Sequence, residues 1–190
     1  MKFFISLFII FLSICFNANA EESFLQNAAG VTIVNTDEVE ESNAQDSPDT
    51  QKKISRWQSR AQEVLVNALS LTGIQYKYGG KSPETGFDCS GFVRYVFSQA
   101  TNLTLPPTAR AIAQIGKTVK KQELQPGDLV FFNTMKSAFS HVGIYMGDNK
   151  FIHAPSTGKT VRVENMNNGY WASRFNGAQR LDKEFDKSTE

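Results

Sequence analysis

Cysteine and histidine are both scarce in this sequence, which has two residues of each type among its 190. A disulfide framework needs pairs of cysteines, and only Cys89 remains once Cys15, inside an apolar N-terminal run, is set aside. No C-x2-C or similar close pair of metal ligands is present, which argues against a structural zinc site. A lone cysteine outside a disulfide is either a buried core residue or a reactive one.

Several other signatures are absent. The sequence has no internal repeat and no glycine-rich nucleotide-binding motif. Its basic residues are scattered, whereas a protein that binds nucleic acid usually gathers them into a patch or groove. We therefore expect no cofactor and no nucleic-acid partner.

The first twenty residues, "MKFFISLFIIFLSICFNANA", have the features of a secretory signal peptide. Lys2 precedes an apolar run over residues 3–16, and small residues end the segment at Ala20. An uncleaved membrane anchor is the alternative, but the run is short of the ~20 apolar residues that cross a bilayer. The residues before Cys15 lack the small side chain expected ahead of a lipidated cysteine. Export with cleavage after Ala20 and no stable membrane insertion is predicted.

Charge divides the remaining chain into two parts. Residues 21–50 contain eight acidic residues and no Lys or Arg, a composition typical of a flexible tail or linker. Residues 51–190 contain 19 basic and 11 acidic residues, a net charge of +8. We interpret the chain as a signal peptide (1–20), an acidic tail (21–50) and one domain of ordinary size (51–190), and we expect a monomer.

Hydrophobic spacing predicts an α+β domain with helices before strands. Apolar residues recur at steps of three and four over residues 54–71, and a second helix is predicted over residues 89–99, with "ARAIAQIG" as a short third one. Four short runs, "QPGDLVFF", "SHVGIYM", "KFIHA" and "TVRVENM", are separated by turn residues and predict an antiparallel meander. The predicted arrangement is N-terminal helices packed on a central antiparallel sheet.

Three roles are open for Cys89: a core thiol, a metal ligand or a nucleophile. Asp88 can cap the predicted helix, and the free backbone N–H groups of a first helical turn lower the pKa of a thiol. Small Gly91 would let a substrate approach the backbone there. A Cys-His-His zinc site with His141 and His153 is a further alternative.

A hairpin register would bring the two histidines together. If residues 147–149 form a three-residue loop, Met146 pairs with Lys150 and Ile144 with Ile152. His141 and His153 then share one face, diagonal to each other, while the apolar residues face the core. A two-residue loop would put the histidines on opposite faces. The hydrophobic pattern therefore favours the register that pairs the histidines. Cys89 from the helix and the two histidines from neighbouring strands would fit the nucleophile, base and orienting residue of a catalytic triad.

The same segments resemble the NlpC family of bacterial cell-wall cysteine peptidases, which have a papain-like fold. "GIQYKYGG", "GFDCSGFVRYVF", "LPPTA", "PGDLVFF" and "SHVGIYMGDNKFIHA" occur in the order and at the spacing of that family, between residues 64 and 181. The resemblance implies that Cys89 is the nucleophile, His141 the general base and His153 the residue that orients it. Because several linked motifs agree, the resemblance is much more specific than any one motif.

The resemblance also implies roles around this triad. Tyr76 would lie near the oxyanion site, and Asp88 and Ser90 would help to hold the substrate peptide. The implied substrate is peptidoglycan, cut at the D-alanyl to diaminopimelate cross-link or at the γ-D-glutamyl to diaminopimelate bond of one stem. In size the chain is similar to the small Spr-type murein endopeptidases of the Gram-negative periplasm. An amidase or acyltransferase on this fold, or a wall-binding module without turnover, are the alternatives.

Overall fold

The computed structural model describes residues 48–134 and 136–182, in which helices come first and most strands follow. In chain order the elements are α1 (Pro48–Ser70), β1 (Lys81–Ser82), β2 (Gly86–Phe87), α2 (Cys89–Thr101), α3 (Ala109–Ile112), β3 (Lys117–Val119), a 3-10 turn (Lys121–Glu123), β4 (Leu129–Phe132), β5 (His141–Gly147), β6 (Lys150–His153), β7 (Arg162–Asn165), α4 (Gly169–Ala172) and β8 (Phe175–Arg180). The predicted signal peptide and all but the last three residues of the predicted tail lie outside the described residues.

The first helix starts earlier than the hydrophobic spacing predicts. α1 spans Pro48–Ser70 and buries one face through Trp57, Ala61, Val64 and Ala68, which repeat at steps of three and four. Residues 48–53 are exposed, so this stretch has no apolar face from which its helical structure could be predicted. The helix therefore begins three residues before the predicted start of the domain. None of the described helices has both the length and the apolar character needed to cross a membrane.

Six strands form one antiparallel sheet in the order β3-β8-β4-β5-β6-β7. The four predicted strands, β4 to β7, are consecutive neighbours, which confirms the meander. β8 adds to the outer edge of β4 and β3 adds to β8, and neither strand was predicted. Their alternation of burial is weak, because β3 is mostly exposed and β8 is only partly buried.

The two faces of the sheet bury different cores. Phe131, Val142, Ile144 and Ile152 pack with residues of α1, α2 and α3 in one hydrophobic cluster. On the opposite face a smaller cluster forms around Trp171 of α4, and its members include Val130, Phe132, Tyr145, Phe151 and Met166. Helices packed on an antiparallel sheet are the predicted α+β arrangement, which is confirmed.

The β5–β6 hairpin has the predicted pairing but a different turn. Ile144 pairs with Ile152, as expected, whereas Lys150 pairs with Gly147 and not with Met146. Asp148 and Asn149 form a two-residue turn with positive φ angles of 51° and 56°, a conformation that these two residue types tolerate. A two-residue loop alone would shift the pairing of β5 and β6 by one residue. The register shifts back between Tyr145 and Gly147 through a bulge at Met146, which restores the pairing of Ile144 with Ile152.

A buried ion pair joins the start of β4 to the end of β8. Asp128 is fully buried, and its two carboxylate oxygens each accept a 2.8 Å hydrogen bond from Arg180. The backbone N–H of Gln125 donates to the same carboxylate at 2.8 Å. Because a buried carboxylate is costly unless it is paired, these contacts fix where β4 enters the sheet beside β8.

Candidate active site

Cys89 is the first residue of α2, and Asp88 caps that helix. Oδ1 of Asp88 accepts a 2.6 Å hydrogen bond from the backbone N–H of Gly91, and Oδ2 accepts one of 3.0 Å from Gly79. The cap therefore fixes the helix start against the loop before β1. A Cβ on Gly91 would collide with the carbonyl oxygen of Gly80. Gly91 is thus required for packing against this loop, which corrects the expectation that it leaves space for substrate.

Ser90 connects the start of α2 to the "LPPT" loop. Its hydroxyl contacts Oδ1 of Asp88 at 3.0 Å and the carbonyl oxygen of Pro107 at 3.1 Å, and only 8% of the residue is exposed. Within the described part of the chain, Asp88 and Ser90 hold the protein's own backbone and do not line the cleft described below. Their predicted contact with substrate stays a prediction.

His141 and His153 form a buried pair. Nε2 of His141 lies 2.7 Å from Nδ1 of His153, and the rings meet edge to face with their centroids 4.9 Å apart. His141 begins β5 and His153 ends β6, so the strand pairing brings them to one face of the sheet. Three per cent of His141 and none of His153 is exposed. The expectation that the two histidines meet on one face is confirmed.

Aromatic rings enclose the histidine pair. Trp171 stacks on His141 with centroids 5.5 Å apart and meets His153 edge to face at 5.0 Å. The ring centroid of Phe151 lies 4.7 Å from that of His153, and the ring centroid of Phe132 lies 6.5 Å from that of His141. These rings account for much of the burial of the two imidazoles.

An open cleft of about 570 Å³ brings Cys89, His141 and Tyr76 to one surface. His153 lies behind His141 and does not line the cleft. The remaining lining residues come from β7, from α4 and its N-cap, and from the loops that flank β5 and β6: Thr134, Ser140, Pro155, Ser156, Lys159, Arg162, Glu164, Asn165, Asn168, Tyr170 and Trp171.

Burial controls the protonation of the thiol. Burial raises the pKa of Cys89 to about 11, and the charge of Asp88 acts in the same direction. The backbone N–H of Val142 on β5 opposes this effect, and so do those of Ser90 and Cys89 at the helix start. Burial outweighs them, so the expected lowering of the pKa is not observed. The resting cysteine is a thiol that needs a base.

The histidines are neutral in the resting site. Burial lowers the pKa of His141 well below its usual value, and the neighbouring His153 lowers it further. Burial also lowers the pKa of His153, although Glu164 acts in the opposite direction. A neutral imidazole beside a protonated thiol is the starting state required of a general base.

Tyr76 is held beside the cysteine. Its backbone N–H donates to the carbonyl oxygen of Lys159 at 2.8 Å, and its ring lies at the cleft wall. Burial raises the pKa of its hydroxyl, with further contributions from Cys89 and Asp88. The hydroxyl is therefore protonated and able to donate a hydrogen bond near the sulfur.

The arrangement of the histidines does not suit a zinc ion. Nε2 of His141 and Nδ1 of His153 point at each other at 2.7 Å, so these two nitrogens cannot both face one metal. Across residues 48–134 and 136–182, no three His, Cys, Asp or Glu side chains are grouped in a way that could hold a metal.

Three further residues of the site were not found from the sequence. Arg162 pairs with His153 across β6 and β7, Glu164 lies 3.8 Å from Nε2 of His153, and Trp171 covers both rings. The period-two pattern of "TVRVENM" places Arg162 and Glu164 on one face, so extending the hairpin register by one strand could have found them. No local signal marks Trp171, which reaches the site from α4.

The comparisons with known proteins agree with this geometry. The NlpC/P60 family model matches residues 73–180, more than half of the chain. The chain belongs to the NlpC/P60 family. This confirms the expected family. The expected fold is confirmed as well, because solved structures of family members align with this one. One of these, an NlpC/P60 family protein from Bacillus cereus ATCC 10987, has a TM-score of 0.60 and 31% identity, over 64% of this chain and 40% of that one.

Two curated relatives give the family context. The chain is 37% identical over 142 residues to the murein DD-endopeptidase MepS/murein LD-carboxypeptidase of Escherichia coli strain K12, which covers 75% of this chain and 74% of the relative. It is 42% identical over 120 residues to the gamma-DL-glutamyl hydrolase of Bacillus subtilis strain 168, which covers 63% of this chain. The chain spans only 29% of the length of that second relative.

Proposed function

We propose that this chain is an exported cysteine endopeptidase that hydrolyses peptide bonds in the stem peptides of peptidoglycan. The observation that carries the proposal is the shared cleft: the thiol of Cys89 and the imidazole of His141 line it, and His153 supports that imidazole from behind at 2.7 Å. These are the nucleophile, base and orienting group that acyl transfer requires.

In the first half-reaction, Nδ1 of His141 takes the proton of the Cys89 thiol while the sulfur attacks the scissile carbonyl. Burial raises the pKa of Cys89 to about 11, so the thiol needs this base to become a nucleophile. The backbone N–H of Cys89 and the hydroxyl of Tyr76 stabilise the oxyanion. His141 then gives its proton to the leaving amine, which leaves an acyl group on the sulfur.

In the second half-reaction, water takes the place of the amine. Neutral His141 accepts a proton from the water as its oxygen attacks the thioester carbon. Collapse of the tetrahedral intermediate breaks the bond from carbon to sulfur, and the proton returns to the sulfur of Cys89. The products are a free carboxylic acid and the resting thiol.

The scissile bond we favour is the D-alanyl to diaminopimelate cross-link. Of the two relatives above, the murein DD-endopeptidase is covered over more of its length, 74%, than the gamma-DL-glutamyl hydrolase. The γ-D-glutamyl to diaminopimelate bond is the second candidate, because the gamma-DL-glutamyl hydrolase shares 42% identity. Lys159 and Arg162 line the cleft, and their positive charges suit the carboxylates that peptidoglycan stems carry.

The site of action in this proposal is outside the cytoplasm, in the periplasm of a Gram-negative cell. The support is the predicted signal peptide of residues 1–20 together with murein-acting relatives. Secretion of reporter fusions carrying residues 1–20 would test export, and retention of the fusion in the cytoplasm would contradict it.

The central experiment is digestion of purified sacculi and of defined muropeptides, with the products weighed by mass spectrometry. Cys89→Ala should abolish product formation and leave the melting temperature almost unchanged, because the removed atom is small and lies at a helix end. Full activity of this variant would contradict the cysteine mechanism. The product masses distinguish the two bonds, and a strong chelator should have no effect.

A further inference from the structure

Glu164 is held in place by two side chains at the end of the cleft. Arg162, on the same strand, donates to its Oε1, and the indole N–H of Trp171 donates to its Oε2. One fifth of the Glu164 side chain is exposed. Both oxygens are thus used as acceptors, which holds the carboxylate in one orientation and favours its ionised form.

The carboxylate faces the one ring nitrogen of His153 that has no other partner. Nε2 of His153 is buried and makes no hydrogen bond in the described structure, and Oε1 of Glu164 lies 3.8 Å away. That distance is about 1 Å longer than a hydrogen bond, and contacts of this kind in a catalytic site often tighten when substrate binds. His153, as the main cause, lowers the pKa of Glu164 to about 2.

An ionised carboxylate can only accept a hydrogen bond, and this decides where the protons of both histidines lie. If Nε2 of His153 carries the proton, it points that proton at Glu164, and its Nδ1 offers a lone pair to His141. Nε2 of His141 must then be the donor. In the reverse arrangement a bare lone pair on His153 would face the negative carboxylate, which is unfavourable.

We propose that Glu164 is a positioning residue that fixes the tautomers of His153 and His141, so that Nδ1 of His141 keeps a free lone pair for the thiol of Cys89. This inference rests on the proposed function for its kinetic consequence. Its tautomer assignment is independent of any substrate, since it follows from the contacts among three side chains.

The charges around His153 show why a carboxylate is needed there. His141 faces it from β5, Arg162 and Glu164 face it from β7, and Lys159 approaches from the preceding loop. Arg162 and Lys159 lower the pKa of His153, whereas Glu164 raises it. When His141 takes the thiol proton, the positive charge stays on its ring, and Glu164 is the anion whose charge raises the pKa of both histidines and so stabilises it.

The first test is nitrogen-15 NMR of the histidine rings in the wild-type protein at neutral pH. The expected result is a proton on Nε2 of both histidines and a bare Nδ1 on His141. A proton on Nδ1 of His141 would overturn the proposal, and this outcome needs no variant to fold.

The second test compares Glu164→Gln with Glu164→Asp and with Glu63→Gln, a matched change at an exposed position of α1. The amide of the first variant has an oxygen at only one of the two positions that Arg162 and Trp171 contact, and its NH2 group at the other position can face His153 and favour the wrong tautomer. We expect kcat to fall about tenfold or more with KM within about twofold, an altered pH–rate profile and mixed histidine tautomers.

The expected order of kcat is wild type, then Glu164→Asp, then Glu164→Gln, with Glu63→Gln equal to wild type. A Glu164→Gln variant that loses thermal stability but keeps its histidine tautomers and kcat would show that Glu164 is only structural, and would overturn the proposal. If wild-type protein fails to cleave any muropeptide, the proposed function fails, while the NMR assignment still decides the tautomer inference.

Discussion

Gly143 lies directly against the ring of Phe151, on the face of the sheet that carries both histidines. A Cβ added to Gly143 would be 2.7 Å from Cδ2 of Phe151 and 3.2 Å from Cβ of His153. The absence of a side chain at this position therefore lets β6 bring the Phe151 ring and His153 close to β5. The positions of Phe151 and His153 in the site therefore depend on this one glycine.

Gly143→Ala should consequently disturb the histidine pair. Displacement of the Phe151 ring and of His153 is expected to cost about 1–3 kcal/mol of stability and to lower kcat more than it raises KM. The measurements are a thermal melt and steady-state kinetics on muropeptides. Gly169→Ala is the matched control, because nothing lies within 4 Å of the added Cβ there. Equal behaviour of the two variants would show that the space at Gly143 is not needed.

Substitutions of the histidines should separate the base from the group that orients it. His153→Asn can still hydrogen-bond His141, so it should keep more activity than His153→Ala, whereas His141→Asn should be as inactive as Cys89→Ala. Initial rates on a defined muropeptide provide the comparison. Wild-type rates in both variants at position 153 would remove His153 from the mechanism.

The sequence contains enough local information to predict where Cys89 and the histidines lie. Asp88 caps the helix that begins at Cys89, as its residue type favours, and the apolar residues Ile144 and Ile152 select the face on which the histidines meet. Both predictions depend on interactions within a few residues or across one hairpin. Structure is predicted most reliably from such short-range patterns.

The remaining features depend on contacts between distant parts of the chain. The two-residue turn and the bulge at Met146 compensate for each other, so the hydrophobic pattern fixes the pairing without fixing the loop. The pKa of Cys89 was expected to be low because of the helix start, but burial by the assembled domain raises it. Trp171 and Glu164 approach from later elements, and their contacts exist only once the sheet has formed.

Stability should fall in two stages as the pH is lowered. Burial lowers the pKa values of His141 and His153 below their ordinary value of 6.5, so the unfolded chain binds protons that the folded chain does not. Their contribution is complete above pH 6.5 and is lost as the pH falls below it. The pKa of Glu164 is lowered from 4.5 to about 2, so its contribution is complete above pH 4.5 and is lost towards pH 2.

Melting temperatures measured across this pH range would show both stages. His153→Asn should reduce the decline that starts near pH 6.5, because one buried imidazole is removed. Glu164→Gln should reduce the later decline below pH 4.5. A melting temperature that stays constant from neutral pH down to pH 4.5 would contradict the assignment of neutral, buried histidines.

The acidic N-terminal segment provides the last prediction. Residues 21–47 contain seven acidic residues and no Lys or Arg, whereas residues 51–190 have a net charge of +8. Because α1 begins at Pro48, the segment can be deleted at residue 47 without shortening that helix. One hypothesis is that the segment competes with anionic stem peptides for the basic domain, and the alternative is that it acts only as a spacer.

The two hypotheses differ in their dependence on salt. Exposed charges are screened beyond ~8 Å at physiological ionic strength, so competition by the segment should weaken as salt is added. Deletion of residues 21–47 should then raise the rate on sacculi at low salt and have little effect at high salt. A variant of full length in which all seven acidic residues become Asn or Gln separates charge from length, and it should behave like the deletion. If both variants match the mature chain at every salt concentration, the segment does not compete with substrate and the spacer hypothesis is supported.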